Sequence, residues 1–401
     1  MKGIAADIAQ FPLGSTSMSS LLLAHDNNTL SLRYLNDTGA RCLDGSPGGY
    51  YYRRGVGVDA SKFMLIFIGS GWCTSLQSCT ARAMTAYGGS ASWSKTIHGF
   101  GIANSSSERN PDFHRWSTAY IGSCDGAFYL GDRPQPTASG LHFRGRAIAD
   151  ATVDDLVRWE GLGSASALIL TGESSGGLAA ALSVDRIASM LPGVRDVRAV
   201  ADAAFFLDRP RCGGDRASLA SIAELARMNT TLGCDAWALG WKCASLPHAL
   251  RTIAAPVFLT QSGFDYSQLG SDGEGLGCTP PGTAASSPLA ACGAEGMRRF
   301  RAFGEALTAQ LSAAISGASP RHRGAIVIGC ISHGLTQFGY SLRGEQISLF
   351  DSPEWQVPAR SGRSISRAIG DWYFGRTNAT VHVDQGAWPD NSPCAWLGMP
   401  Y

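Results

Sequence analysis

The pentapeptide Gly172-Glu173-Ser174-Ser175-Gly176 separates two apolar runs, Ala167 to Thr171 before it and Leu178 to Leu182 after it. That is the layout of a nucleophile elbow, in which a buried strand ends, the backbone turns sharply and a helix begins. On this reading Ser174 stands exposed above the sheet edge with the helix N-terminus beneath it. Gly172 and Gly176 take the unusual backbone angles of the turn. With 49 glycines in the chain, about one Gly-x-Ser-x-Gly match is expected by chance. The flanking elements therefore carry the argument.

A serine hydroxyl is a poor nucleophile at neutral pH until a base accepts its proton. His333, in Cys330-Ile331-Ser332-His333-Gly334, lies just past the apolar run Ala325 to Ile328, where a loop can swing an imidazole over the elbow. His25, His98, His114, His142, His248, His322 and His382 have no comparable position. A carboxylate must then hold the imidazole tautomer and stabilise its positive charge. Asp265, in Gly263-Phe264-Asp265-Tyr266, is one candidate; Asp202 and Asp208 are two others, and spacing does not separate the three.

Charge that develops on an attacked carbonyl oxygen needs preorganised N–H donors. Ser175, directly after the nucleophile, supplies one main-chain donor. The loop Gly69-Ser70-Gly71-Trp72, which follows an earlier apolar run, supplies others. Trp72 either walls an acyl pocket or packs. The chain order Ser, Asp, His is that of an α/β-hydrolase arrangement. No carboxylate pair, metal-ligand cluster or phosphate loop competes with this set, so neither a metal nor a cofactor is expected.

These residues need a sheet to place them. Leu30 to Tyr34 alternates as an edge strand does, and Tyr50 to Tyr52 suits a strand after the turn at Cys42 to Gly49. Met64 to Ile68 is a continuous apolar run, as expected of a central strand buried on both faces. Further strands are predicted at Ser117 to Ile121, before the elbow, at Val197 to Val200, at Pro256 to Thr260 and at Ala325 to Ile328. Helices are predicted over Cys79 to Tyr87, over Ala147 to Trp159 and along the stripe Met297, Phe300, Phe303, Leu307, Leu311 and Ile315. Strands alternating with helices argue for a mostly parallel central sheet flanked by helices, in a single domain. Residues 1–30 read as an N-terminal extension and 31–401 as the domain, with a surface loop rich in Gly, Pro and Ser at Gly270 to Gly293.

The 401 residues are 44% apolar, enough for a substantial core, and the net charge is +1 without a basic cluster. Nucleic acid and anionic membrane are therefore not expected as partners. No apolar run approaches the roughly 18 residues of a membrane helix, and Ser20 to Ala24 is too short and too late for a signal-peptide core. Eleven cysteines are scattered with no Cys-x-x-Cys pair, which disfavours a zinc ribbon. Cys73/Cys79 and Cys234/Cys243 have the spacing of small disulfide loops, and sequons stand at Asn27, Asn36, Asn104, Asn229 and Asn378. Together these favour an oxidising, secretory setting. The odd cysteine count leaves at least one thiol unpaired within the chain.

Longer segments carry a resemblance. Cys42-Leu43-Asp44-Gly45-Ser46-Pro47, Gly71-Trp72-Cys73, Asn110-Pro111-Asp112-Phe113 with Trp116, and Cys124-Asp125-Gly126 come first. Leu141 to Gly145, Asp154-Asp155-Leu156, Leu170 to Leu178, Asp202 with Phe205 to Asp208, and Gly370 to Phe374 follow in order. From about Cys42 to Phe374 the chain resembles the pectin acetylesterase family, which also includes the Notum carboxylesterase. The resemblance implies an α/β-hydrolase-like fold and a serine esterase. Its triad carries over to Ser174, Asp265 and His333, and its oxyanion donors to Gly71, Trp72 and Ser175. It also implies the disulfides Cys42–Cys124 and Cys73–Cys79.

Three departures stand out. Ser175 replaces the usual alanine after the nucleophile, where its side chain is placed to alter the pocket. Ser70 replaces a common glycine, and the cysteine-rich tail of many members is reduced to Pro393-Cys394. The expected function is a secreted or cell-wall carboxylesterase, monomeric, that removes acetyl groups from a polysaccharide. The alternative is a deacylase acting on a fatty-acylated protein. An intact Ser, Asp and His argues against a catalytically dead binding protein.

Overall fold

The strands that carry the candidate residues are buried along their whole length, because a parallel strand covered on both faces has no solvent side. The computed structural model describes residues 28–37, 39–208, 216–228, 240–265, 267–268, 294–319, 322–337, 339–342, 345–351 and 363–384. Its strands are β1 (Thr29–Tyr34), β2 (Gly49–Arg53), β3 (Lys62–Phe67), β4 (Thr96–His98), β5 (Ser117–Ile121), β6 (Ala167–Glu173), β7 (Val197–Asp202), β8 (Val257–Asp265), β9 (Arg323–Ser332), β10 (Gly339–Leu342), β11 (Glu345–Ser348) and β12 (Val381–Val383). Its principal helices are α1 (Leu76–Ala83), α2 (Gly145–Glu160), α3 (Ser175–Met190), α4 (Arg216–Leu225), α5 (Ala294–Ile315) and α6 (Ile365–Phe374).

Apart from the β10–β11 hairpin, these strands form one ten-stranded sheet in the order β12-β9-β8-β7-β6-β3-β5-β2-β1-β4. Pairing is parallel from β12 through to β5. It turns antiparallel from β5 to β2, β1 and β4. Side chains alternate across a strand, so Leu168 and Leu170 of β6 enter one core and Ile169 the other. The first core holds Ile148 and Leu156 of α2, Leu178 and Leu182 of α3, and Leu311 and Ile315 of α5. The second holds Ile365, Ile369 and Trp372 of α6. The sheet is thus covered on both faces, which fixes the ends of β6, β8 and β9 as a rigid rim.

Several boundaries differ from the sequence expectation. The helix expected over Cys79 to Tyr87 begins earlier, because Ser75 and Ser78 form a reciprocal capping box at its start, and it ends at Ala83. β8 and β9 run on to Asp265 and Ser332, so the candidate acid ends a strand and the candidate base immediately follows one. β4 and β12, three residues each, are too short for a period-two signal. Cys42–Cys124 and Cys73–Cys79 are bonded, and Cys243 and Cys330 are also in disulfides. The glycine-rich loop at 270–293, Cys234, Pro393, Cys394 and the first 27 residues lie outside the described residues.

Candidate active site

β6 ends at Glu173 and α3 begins at Ser175, leaving Ser174 alone to turn the chain. Ser174 adopts φ 57°, ψ −126°, a strained conformation for a residue with a Cβ. The expectation that Gly172 and Gly176 take the unusual angles is therefore corrected: neither has a positive φ, and the strain sits on the serine itself. The two glycines are needed for space. A Cβ on Gly176 would lie 2.0 Å from Phe67 O, and one on Gly172 would lie 2.5 Å from the same oxygen. Strand β3, the turn and helix α3 could not close together with larger residues there. Ser174 is also less open than expected, at 8% exposure.

The three aspartates differ in their hydrogen bonds. Asp265 Oδ1 accepts from His333 Nδ1 at 2.8 Å. A carboxylate only accepts, so Nδ1 carries the proton and the Nε2 lone pair faces away from Asp265. Asp265 is fully buried, and its remaining lone pairs are satisfied. Oδ1 also accepts from the Ser267 N–H, and Oδ2 accepts from Gln261 Nε2 (3.0 Å) and Gln268 Nε2 (3.1 Å). The glutamines are fixed in turn by the Phe205 and Leu207 N–H groups, which donate to Gln261 Oε1 and Gln268 Oε1.

Asp202 serves differently. Its Oδ2 accepts from the N–H groups of Leu335 (2.6 Å) and Thr336 (2.7 Å) and from the Thr336 hydroxyl, while its main-chain oxygen accepts from Ser174 N. One residue thus ties the loop after His333 to the elbow. Asp208 pairs with His248 Nε2 at 2.8 Å.

His333 reaches the elbow: its Nε2 is 3.8 Å from Oε1 of Glu173, the residue before Ser174. Both side chains are buried. Burial, outweighing the nearby imidazole, raises the Glu173 carboxyl to about 8. Burial would lower His333, but the carboxylates of Asp265, Glu173 and Asp202 overcome it and raise the imidazole to about 9.

On the other side of the elbow runs the loop Gly69 to Trp72. A Cβ on Gly69 would sit 2.3 Å from Glu173 O and 3.3 Å from Ser174 Cβ, so only glycine lets this loop approach. Gly71 has φ +65°. Trp72 packs edge-on against Phe128 and Phe206 and donates through Nε1 to Ser218 Oγ at 2.9 Å. The Ser175 N–H belongs to the first turn of α3, where no intrahelical acceptor exists. The Ser175 side chain turns toward this loop: Ser70 N donates to Ser175 Oγ. Among the described residues no group of three or more His, Cys, Asp or Glu side chains is placed to hold a metal ion.

Gln261, Gln268, Asp202 in its tying role, and Glu173 are site residues that sequence reasoning misses. For Gln261 a signal exists, an amide that follows the apolar run Val257 to Leu259 within a buried strand. The others show only through contacts distant in the chain.

A family model described as Pectinacetylesterase matches residues 23–395. Pectin acetylesterase 5 of Arabidopsis thaliana is 29% identical over 371 residues, spanning 89% of this chain and 82% of that protein. Pectin acetylesterase 4 of the same plant is 28% identical over 98% of this chain and 95% of its own length. The palmitoleoyl-protein carboxylesterase NOTUM of Schmidtea mediterranea is 31% identical over 59% of this chain, which is 48% of that protein. Among solved structures, the Drosophila Wnt deacylase Notum matches with a TM-score of 0.73 at 22% identity, covering 91% of this chain and 99% of that one. At that identity the likeness bears on the fold, an α/β-hydrolase-like one.

Proposed function

The chain belongs to the pectinacetylesterase family of carboxylic ester hydrolases, and from that premise we propose that it is a secreted serine esterase that removes acetyl groups from an extracellular polysaccharide. The observation that carries the mechanism is the hydrogen bond from His333 to a fully satisfied, buried Asp265 beside the strained Ser174 elbow. Ser174 Oγ attacks the ester carbonyl as His333 Nε2 takes its proton. The oxyanion is held by the N–H groups of Gly71, Trp72 and Ser175. The C–O bond to the sugar breaks as His333 returns the proton to the leaving oxygen. Water, deprotonated by the same nitrogen, then releases acetate and restores the serine.

Two features favour an acetylated sugar over a long acyl chain. The match to plant pectin acetylesterases extends over far more of the chain than the match to NOTUM. The residue before the nucleophile is also a buried carboxyl rather than an apolar wall. The disulfides Cys42–Cys124 and Cys73–Cys79 support an oxidising compartment. Among the described residues no helix is long and apolar enough to cross a membrane. The substrate reading is tested with p-nitrophenyl esters from acetyl to palmitoyl. We expect kcat/KM to be highest at acetyl and to fall by at least about tenfold at octanoyl, the order of discrimination that a fixed pocket imposes on added methylenes. A maximum at long chains would favour the protein-deacylase alternative.

The base must be neutral to act, so kcat/KM should rise with pH through the His333 ionisation, raised to about 9. The groups facing the imidazole are the carboxylates of Asp265, Glu173 and Asp202. Glu173→Gln removes one of them and destabilises the imidazolium. The acid limb of the pH profile should therefore move to lower pH; a limb that stays in place or moves up would count against the assignment of His333 as base.

A further inference from the structure

Ser70, in the loop after β3, and Ser175, directly after the nucleophile, are bonded to each other. Ser70 N donates to Ser175 Oγ at 3.0 Å across 105 positions of sequence, and Ser70 Oγ shares a hydrogen bond of 2.5 Å with Ser123 Oγ. From the opposite side comes the partly buried guanidinium of Arg82. Its Nη2 donates to Ser70 O (2.6 Å), to Ser70 Oγ (2.7 Å) and, more weakly, to Gly71 O (3.4 Å).

In a trans peptide the carbonyl and the following N–H point in opposite directions. Ser70 O and Gly71 O both turn toward Arg82, so the N–H groups of Gly71 and Trp72 both turn away from it. A glycine at φ +65° leaves this loop other backbone arrangements within reach. From these contacts we infer that Arg82 and the Ser175 hydroxyl are positioning residues that hold the oxyanion donors parallel before substrate arrives. The inference rests on the reading of Ser174 as nucleophile.

The local sequence explains how a cation reaches this place. Cys79 and Arg82 lie three residues apart on α1 and so share a face. The Cys73–Cys79 disulfide pins that face to the end of the loop, and the Ser75/Ser78 box fixes where the helix starts. Cys73 N donates to Gly126 O, which ties the loop to the turn that holds Asp125. Asp125 is fully buried and is the acidic neighbour that most favours the charged guanidinium, against the burial that lowers its pKa. Preorganised dipoles of this sort act because they need not reorient during the reaction.

The experiment measures p-nitrophenyl acetate kinetics and the rate of inactivation by diethyl p-nitrophenyl phosphate, whose phosphoryl oxygen enters the same hole. Arg82→Met should lower kcat by on the order of 10²-fold, as loss of an oxyanion donor does, and slow inactivation in parallel. KM should stay within about threefold, the signature of an interaction made in the transition state. Arg82→Lys, which keeps one ammonium near both carbonyls, should recover at least about a tenth of the lost rate. A folded Arg82→Met enzyme with wild-type kcat, or one with raised KM at unchanged kcat, overturns the inference. If Arg82→Met does not fold, Ser175→Ala decides: a several-fold loss in both rates supports the clamp, and unchanged rates overturn it. A wild-type enzyme that the phosphate ester leaves unmodified would instead remove the nucleophile assignment beneath it.

Discussion

Ser174→Ala is expected to abolish ester hydrolysis, with kcat on p-nitrophenyl acetate falling by on the order of 10⁶-fold, while the protein keeps its fold. The size of the loss follows from the covalent route. Without the hydroxyl no acyl-enzyme forms, and what remains is the modest help that an oxyanion hole and binding give to attack by water. The fold survives because the elbow is held by its main chain. Ser174 N donates to Asp202 O, and Ser174 O accepts from Leu178 N. Loss of one hydroxyl at this site alters stability by about 1 kcal/mol or less. A melting temperature within a few degrees of wild type, with activity gone, is the expected pair of results. Retained turnover in the purified variant would end the nucleophile assignment.

The second large effect belongs to the orienting carboxylate. Asp265→Asn should lower kcat by about 10⁴-fold with little change in KM. The exchange is nearly isosteric, but an amide offers His333 Nδ1 a donor as readily as an acceptor. When the amide N–H faces the ring, Nδ1 must accept, and the proton moves to Nε2, the nitrogen that has to receive the serine's proton. The surroundings sharpen this. Gln261 Nε2 and Gln268 Nε2 both donate to Asp265 Oδ2, so an asparagine NH₂ cannot sit there without opposing two donors. The amide is thereby driven to present its N–H toward the imidazole and the Ser267 N–H. Steady-state kinetics on the acetyl ester check this, and activity within about tenfold of wild type would mean that another acid orients the ring. Asp202 is not a substitute. Its Oδ2 is already committed to Leu335 and Thr336, and removing it should loosen the loop that follows His333.

What the sequence reveals and what it withholds divides along contact distance. The elbow is a local object: a buried strand, a short turn and a helix, contiguous in the chain, so pattern and spacing expose it. The strand runs that become β3, β6, β7, β8 and β9 are long and apolar, and the sheet class follows from their alternation with helices. His333 and Asp265 are visible as polar residues beside such runs. Choosing Asp265 over Asp202 and Asp208 needs the family resemblance, because nothing local distinguishes an aspartate aimed at an imidazole from one that caps a loop.

Other features lie beyond any local pattern. Arg82 reads as an ordinary basic residue in a short amphipathic helix until its contact with Ser70 and Gly71 is seen. The bond between Ser70 and Ser175 joins two positions whose substitutions look unrelated in one dimension. The expectation about the elbow glycines errs for a related reason. Positive φ is a sound argument for glycine in general, but here the demand comes from Phe67 O on a neighbouring strand, which sequence spacing does not encode. α6 is not legible as a helix even though its last residues, Gly370 to Phe374, form a recognisable motif. It is amphipathic but only ten residues long, and Gly370 and its three aromatic residues lower its helix propensity.

The proposed mechanism places the acyl group on Ser174. The decisive experiment is to incubate the wild-type protein with diethyl p-nitrophenyl phosphate and map the modified peptide by mass spectrometry. One diethylphosphoryl group is expected, on Ser174, with p-nitrophenolate released in equal amount and esterase activity lost in proportion. Modification of a different residue, or full loss of activity with Ser174 unmodified, would contradict it.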